Sequence, residues 1–181
     1  MTDWIQTYTG RRVRPLAPDP EQIVVIDIAH SLAMQCRFNG FTRRFYSVAE
    51  HCCHVHDQLP LEYRLAGLLH DASEAFLLDV PRPLKRSPLF AEPYRAAEAR
   101  LQGVINQKYG VPWPWPEKMG NAIHVMDANL LATEATQLMR FGPGNPEWQE
   151  EGQAIARLTL PCWTPAQART EFIKRFYAAI Q

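Results

Sequence analysis

The chain has 181 residues, 46% of them hydrophobic, with nineteen Lys and Arg balanced by nineteen Asp and Glu. This length and composition fit one globular domain spanning 1–181 with a sizeable core, and the balanced charge argues against a general nucleic-acid binder. No apolar run approaches the roughly 18 residues of a membrane span. The opening Met-Thr-Asp-Trp-Ile-Gln lacks the basic and apolar segments of a secretory signal, so a cytoplasmic location is expected. Cys36, Cys52, Cys53 and Cys162 show no CxxC spacing, which fits reduced thiols better than a disulfide framework.

In chain order, Tyr8-Thr-Gly-Arg predicts the turn of a small N-terminal hairpin, with helix as the alternative for 3–8. After Pro20, the apolar positions Ile23, Ile26, Ala29 and Ala33 recur near the helical period, predicting a helix to Cys36 that ends in a turn at Asn39-Gly40. Ser47-Val-Ala-Glu50 has the form of a capping box and predicts a helix from Ser47 to His56. The next helix is expected over Leu61–Leu78, between Pro60 and the stops at Pro81 and Pro83. Amphipathic helices follow over Ala91–Tyr109 and Glu117–Arg140, separated by the rigid Val-Pro-Trp-Pro-Trp-Pro loop at 111–116. A Gly/Pro/Asn loop at 142–146 precedes a last helix over Pro165–Ala179. No set of alternating segments is strong enough to build a sheet, so the fold class is all-α, with the hairpin as its one small exception.

The chemistry concentrates in LLHDASEAFLLDVPRP, residues 68–83. His70, Asp71, Glu74 and Asp79 stand among Leu68, Leu69, Ala72, Ala75, Phe76 and Leu77, which belong inside. On a helix Glu74 sits one turn from both His70 and Asp71. His51, on the preceding helix, would meet them across the helix contact, and Asp127 is the polar residue in an otherwise apolar stretch of the 117–140 helix. Unpaired buried charges cost several kcal/mol each. Mutual hydrogen bonding would offset that cost, and so would a divalent cation with mixed nitrogen and oxygen ligands.

The order His51…His70-Asp71…Asp127 resembles the H…HD…D signature of HD-domain metal-dependent phosphohydrolases. Ser47-Val-Ala-Glu-His51, His70-Asp-Ala-Ser-Glu74 and Leu78-Asp79-Val-Pro81-Arg-Pro83-Leu-Lys85 are similar, more narrowly, to bacterial 5′-deoxynucleotidases and related small HD nucleotidases, over residues 25–140. The resemblance implies a helical HD bundle in which His51, His70, Asp71 and Asp127 hold one divalent metal (Mn²⁺, Co²⁺, Fe²⁺ or Ni²⁺). It implies that Glu74 handles a proton at the attacking water or the leaving oxygen, and that Asp79 lies at the catalytic centre near the sugar. Arg37 resembles the family's phosphate arginine with a one-residue gap; the family's arginine–tryptophan pair has no clean counterpart, and Cys36-Arg37-Phe38 is the nearest match. Phe38 and Lys85 are candidate substrate contacts, and Trp113 is a further aromatic able to stack on a base. The expected activity is removal of the 5′-phosphate from deoxynucleoside monophosphates, with dNTP triphosphohydrolysis and a metal-binding regulatory role as the alternatives. The expected partner is a small-molecule nucleotide, with no nucleic-acid polymer and no membrane, in a homo-oligomer of two or more subunits.

Overall fold

The turn at Thr9-Gly10 does close a hairpin: in the computed structural model, which describes residues 3–181, β1 (Ile5–Gln6) and β2 (Arg12–Val13) run antiparallel with Ile5 opposite Val13. Gly10 takes φ 85° in that turn, a conformation that costs glycine nothing because it has no Cβ. Thr9 fastens the hairpin to the first helix, since its amide and its hydroxyl each donate to the buried Asp27 carboxylate at 2.8 Å. The other named elements are helical: α1 (Val25–Met34), α2 (Val48–Gln58), α3 (Arg64–Leu68), α4 (Glu74–Leu77), α5 (Arg82–Lys85), α6 (Ala91–Lys108), α7 (Glu117–Leu138) and α8 (Pro165–Ala179). Among the described residues no helix is long and apolar enough to cross a membrane.

Helix α2 is the axis of the molecule. Every residue from Val48 to His56 is buried, and the helix packs on α1, α3, α7 and α8. Its apolar positions join Ile28, Leu32, Leu68, Leu101, Leu130 and Phe172 in one core, where Cys52 and Cys53 serve as small fillers; all four cysteines are free. Ser47 caps the helix by accepting from the Glu50 amide at 3.1 Å. The other half of the expected capping box does not form. A fully buried carboxylate needs donors for both oxygens, and Glu50 finds them in the amides of Cys162 (2.8 Å) and Trp163 (2.7 Å), which ties α2 to the approach to α8. A complete capping box does form at the start of α8, between Thr164 and Gln167, with Pro165 in the first turn.

Three expected helices are shorter or interrupted. Pro20–Gln22 makes a separate 3-10 turn, and Ile23 and Val24 are extended before α1 begins. Met139 is extended and ends α7 before Arg140. The larger departure is in 61–78, where α3 stops at Leu68 and Leu69–Ser73 run as successive turns, with bonds such as Ala72 N–H to Leu69 O (3.0 Å). The cause is competition for carbonyls. The His70 ring nitrogen Nδ1 lies 2.8 Å from the Gly67 carbonyl, the acceptor that the Asp71 amide would use in a continuous helix. Gln102 of α6 splints the gap: its amide nitrogen donates to Leu69 O (2.7 Å) and its oxygen accepts from Ser73 N–H (3.1 Å), replacing one helical bond by two.

At the far end of α2, Asp57 accepts from Arg175 of α8 through both oxygens (2.9 and 2.7 Å) and pairs with the His56 ring at 2.8 Å. Burial pushes the carboxyl up, but His56 and Arg175 hold it well below the ordinary range. A folded-state pKa below the unfolded one contributes stability that is full above the unfolded value of 3.8 and is lost as the pH falls below it. Asp57→Asn is therefore expected to cost about 1 kcal/mol at pH 7, the pair being half-exposed and screened. Urea denaturation should show that difference closing as the pH is lowered from 5 towards 2.

Candidate metal centre

Four side chains from three parts of the fold converge beside α2. His51 comes from its first turn, His70 and Asp71 from the interrupted segment, and Asp127 from α7. His51 Nε2 lies 3.3 Å from His70 Nε2, and Asp71 Oδ2 lies 3.2 Å from His70 Nε2 and 3.7 Å from His51 Nε2. One ligand atom from each of these three residues falls within 4.8 Å of the others, so the group could hold a metal ion. Asp127 meets the group on the His51 side, with Oδ1 3.2 Å from His51 Nε2.

The other ring nitrogens are already committed. His51 Nδ1 lies 2.6 Å from Glu134 Oε1, and His70 Nδ1 points at the Gly67 carbonyl. A carboxylate and a carbonyl only accept, so each Nδ1 carries the proton and each Nε2 turns a lone pair inward. Two lone pairs and two carboxylates facing one another require a cation between them, either a proton or a metal ion. For the proton, burial and the Arg37 guanidinium push His51 down, while Glu134 and Asp127 reverse this and bring it up to about 10. Burial likewise opposes the charge on Asp71 and Asp127, yet the neighbouring histidines hold both carboxyls well below their usual range. The donor set, two imidazoles with carboxylates, is one that suits a first-row divalent ion.

Glu134 is the residue that sequence reasoning missed. It is fully buried on α7, and its second oxygen accepts from Arg37 at 3.0 Å. Its signal was a carboxylate seven residues, two turns, beyond Asp127 in the buried run Leu130–Ala135. Arg37 reaches it from the loop before α2, because the Arg37 amide donates to Tyr46 O (2.9 Å) and the Val48 amide to Gln35 O (3.1 Å), clamping the loop ends together. The same guanidinium lies 3.9 Å from Asp71 and 4.0 Å from Asp79.

A cavity of about 420 Å³ opens onto this centre and brings together Arg37, Phe38, Asp71, Glu74, Asp79, Lys85 and Asp127. The volume is in the range of small-molecule sites. Backbone at and beside its walls is strained: Phe38 (φ 52°) and Asn39 (φ 53°) on the wall, and Leu78 (φ 69°) just before the wall residue Asp79, have positive φ without being glycine, which costs of order 1–3 kcal/mol each and clusters at functional sites. Leu78 is held by Tyr94, whose hydroxyl donates to its carbonyl (2.8 Å), and Gln35 accepts from the Asp79 amide (3.1 Å). Lys85 bridges Glu74 (2.8 Å) and Glu98 (3.0 Å). Burial pushes the Glu74 carboxyl up, Asp71 and Asp79 push it further, and Lys85 opposes without cancelling them. Trp148 and Glu150, from the loop after α7, complete the wall; Glu150 pairs with Arg82 at 2.6 Å and Arg86 at 3.1 Å. Trp113 does not line this cavity.

Because Glu134 fixes the His51 ring, Glu134→Gln is expected to weaken divalent-metal affinity by roughly 10- to 100-fold, as loss of such an orienting carboxylate does elsewhere. Competition against a fluorescent chelator reads this directly, and an unchanged affinity would show that His51 is oriented without it.

No protein-family model matches the chain. It is 36% identical to the uncharacterized protein YfdR of Escherichia coli K12 over 135 residues, which cover 75% of this chain and 72% of YfdR. It is 30% identical to an uncharacterized protein of Rhodobacter capsulatus over 190 aligned positions, covering 98% of this chain and 96% of that protein. The chain belongs to the family formed by these bacterial proteins.

Proposed function

We propose that the protein is an HD-type metal-dependent phosphohydrolase that removes the 5′-phosphate from deoxynucleoside monophosphates. The observation that carries this reading is the inward convergence of His51 Nε2, His70 Nε2 and Asp71 Oδ2, with both Nδ1 atoms committed elsewhere. Charge supports it as well. The cavity lining carries the cations Arg37, Arg82 and Lys85 against the carboxylates Asp71, Asp79, Asp127 and Glu150, leaving aside Glu74 as the proton carrier. Such a lining repels a phosphate dianion until positive charge is added.

A divalent ion held by His51, His70, Asp71 and Asp127 would add that charge, polarise a phosphoryl oxygen and supply a water of lowered pKa. Arg37, fixed by Glu134 and within 4.0 Å of both Asp71 and Asp79, orients the phosphate beside these carboxylates. Glu74, whose carboxyl is pushed up by burial and by the nearby Asp71 and Asp79, moves a proton to the departing 5′-oxygen. Asp79 and Phe38 border the same cavity and contact the sugar and the base. Lys85 holds Glu74 in place through their 2.8 Å contact.

If Glu74 moves a proton and does not bind the metal, Glu74→Ala should keep its metal while kcat falls by roughly 10²- to 10⁴-fold. Parent-like turnover would remove Glu74 from the mechanism, and lost metal would make it a ligand.

A ribose 2′-hydroxyl forced against Asp79 loses water without a full replacement, costing about 1–3 kcal/mol, which is roughly 5- to 150-fold in kcat/KM. Phosphate release from dAMP should exceed that from AMP by this margin, cease on chelation and return with Mn²⁺ or Co²⁺. Equal rates for the two would refute the deoxy preference. Inertness towards all monophosphates, with triphosphate released from dNTPs, would replace the reading.

A further inference from the structure

A second cavity, of about 430 Å³, borders the same centre and has no task in the reaction above. Asp71, Asp127 and Lys85 line both cavities, so a phosphate at these carboxylates has open space in two directions. One side of the second cavity is aromatic. Trp113 and Trp115 stand edge to face with centroids 5.1 Å apart, and His124 joins them. This wall is built for its place. A Cβ on Gly103 of α6 would come within 2.8 Å of the Trp113 indole, so only glycine lets the ring lie there.

We propose that this second cavity binds an aromatic group esterified to the same phosphate, so that the protein takes nucleoside phosphodiesters as well as monoesters. The proposal rests on the phosphohydrolase reading and extends its substrate class. A monoester fills one cavity and leaves the tryptophan wall in water, whereas a diester fills both. Flat indole faces suit an aromatic ring. A polyphosphate chain is disfavoured, because Lys85 and Arg95 are outnumbered there by Asp71, Glu98 and Asp127. In the reaction, the water oxygen bonds to phosphorus and the bond from phosphorus to the aryl oxygen breaks. One water proton goes to the aryl oxygen and the other stays on the nucleoside monophosphate, so no further reactant is needed.

The probe is the p-nitrophenyl ester of thymidine 5′-monophosphate, compared with thymidine monophosphate itself. Binding is measured by calorimetry on Mn²⁺-loaded Glu74→Gln protein, and p-nitrophenol release on the parent. The ester should bind at least about tenfold tighter than the monophosphate, the scale of one aromatic stack. Trp113→Ala should abolish that advantage and leave monophosphate affinity unchanged. Gly103→Ala, which displaces the indole without removing it, should act in the same direction. Equal affinities for ester and monophosphate would overturn the proposal, as would a loss shared by both ligands in Trp113→Ala. A similar gain for thymidine triphosphate that survives Trp113→Ala would assign the cavity to phosphates and also overturn it. An ester advantage that depends on Trp113, in a protein that does not hydrolyse the monophosphate, would support the subsite while refuting the nucleotidase reading alone.

Discussion

One buried anion organises the site. The Glu134 carboxylate has no exposure, and it survives inside because a cationic or proton-bearing group sits on each oxygen: the His51 ring at 2.6 Å and the Arg37 guanidinium at 3.0 Å. Burial alone would push this carboxyl up, but Arg37 and His51 bring it down. Removing one member of such a group strands the others and typically costs 3–5 kcal/mol. The three residues belong to α7, α2 and the loop before α2. Their pairing therefore sets the register of α7 against α2 and the orientation of both the His51 imidazole, whose Nε2 faces His70 and Asp127, and the Arg37 guanidinium at the cavity wall. Site geometry and packing geometry are here the same constraint.

The broken helix is the second condition. In a continuous helix neighbouring side chains diverge by about 100°, which spreads a His-Asp pair over two faces. In the turns of Leu69–Ser73 the His70 and Asp71 atoms close to 3.2 Å. Lost helical bonds inside a core are costly unless replaced, and replacements come from His70 itself and from Gln102, whose amide is further braced by Asn106 at 2.9 Å. The irregular segment is thus bonded to its surroundings, and its shape serves the centre.

The sequence reveals those features that are written locally. Pro165 after Thr164 marks the start of α8, Ser47 marks the start of α2, and Thr9-Gly10 marks the hairpin, because each depends on chemistry within a few residues. His51, His70 and Asp71 were legible as a group because ionisable residues stood where apolar ones belonged, and Asp127 for the same reason. The break at Leu69 was not legible, since the residue that stabilises it is Gln102, thirty-three positions away from Leu69. The clasp between Arg37 and Glu134 spans ninety-seven positions, and neither residue announces the other. Glu50 misled for a related reason: its spacing from Ser47 suits a capping box, but two amides more than a hundred residues on compete successfully for its carboxylate.

The cations around the main cavity are all engaged before any ligand arrives. Arg37 is bound to Glu134, Lys85 to Glu74 and Glu98, and Arg82 to Glu150, with Asp127 also 3.5 Å from Arg82. An anion entering this space gains little from groups already neutralised, and it meets carboxylates in excess. On the proposed reading, a divalent ion at Asp71 and Asp127 would change that balance at its own ligands: Arg82 would then share one of its two carboxylate neighbours with the ion, and Arg37 one of its three. The charge needed to admit a phosphate would come from the ion and from the arginines it relieves, so metal and anion would be coupled through shared carboxylates.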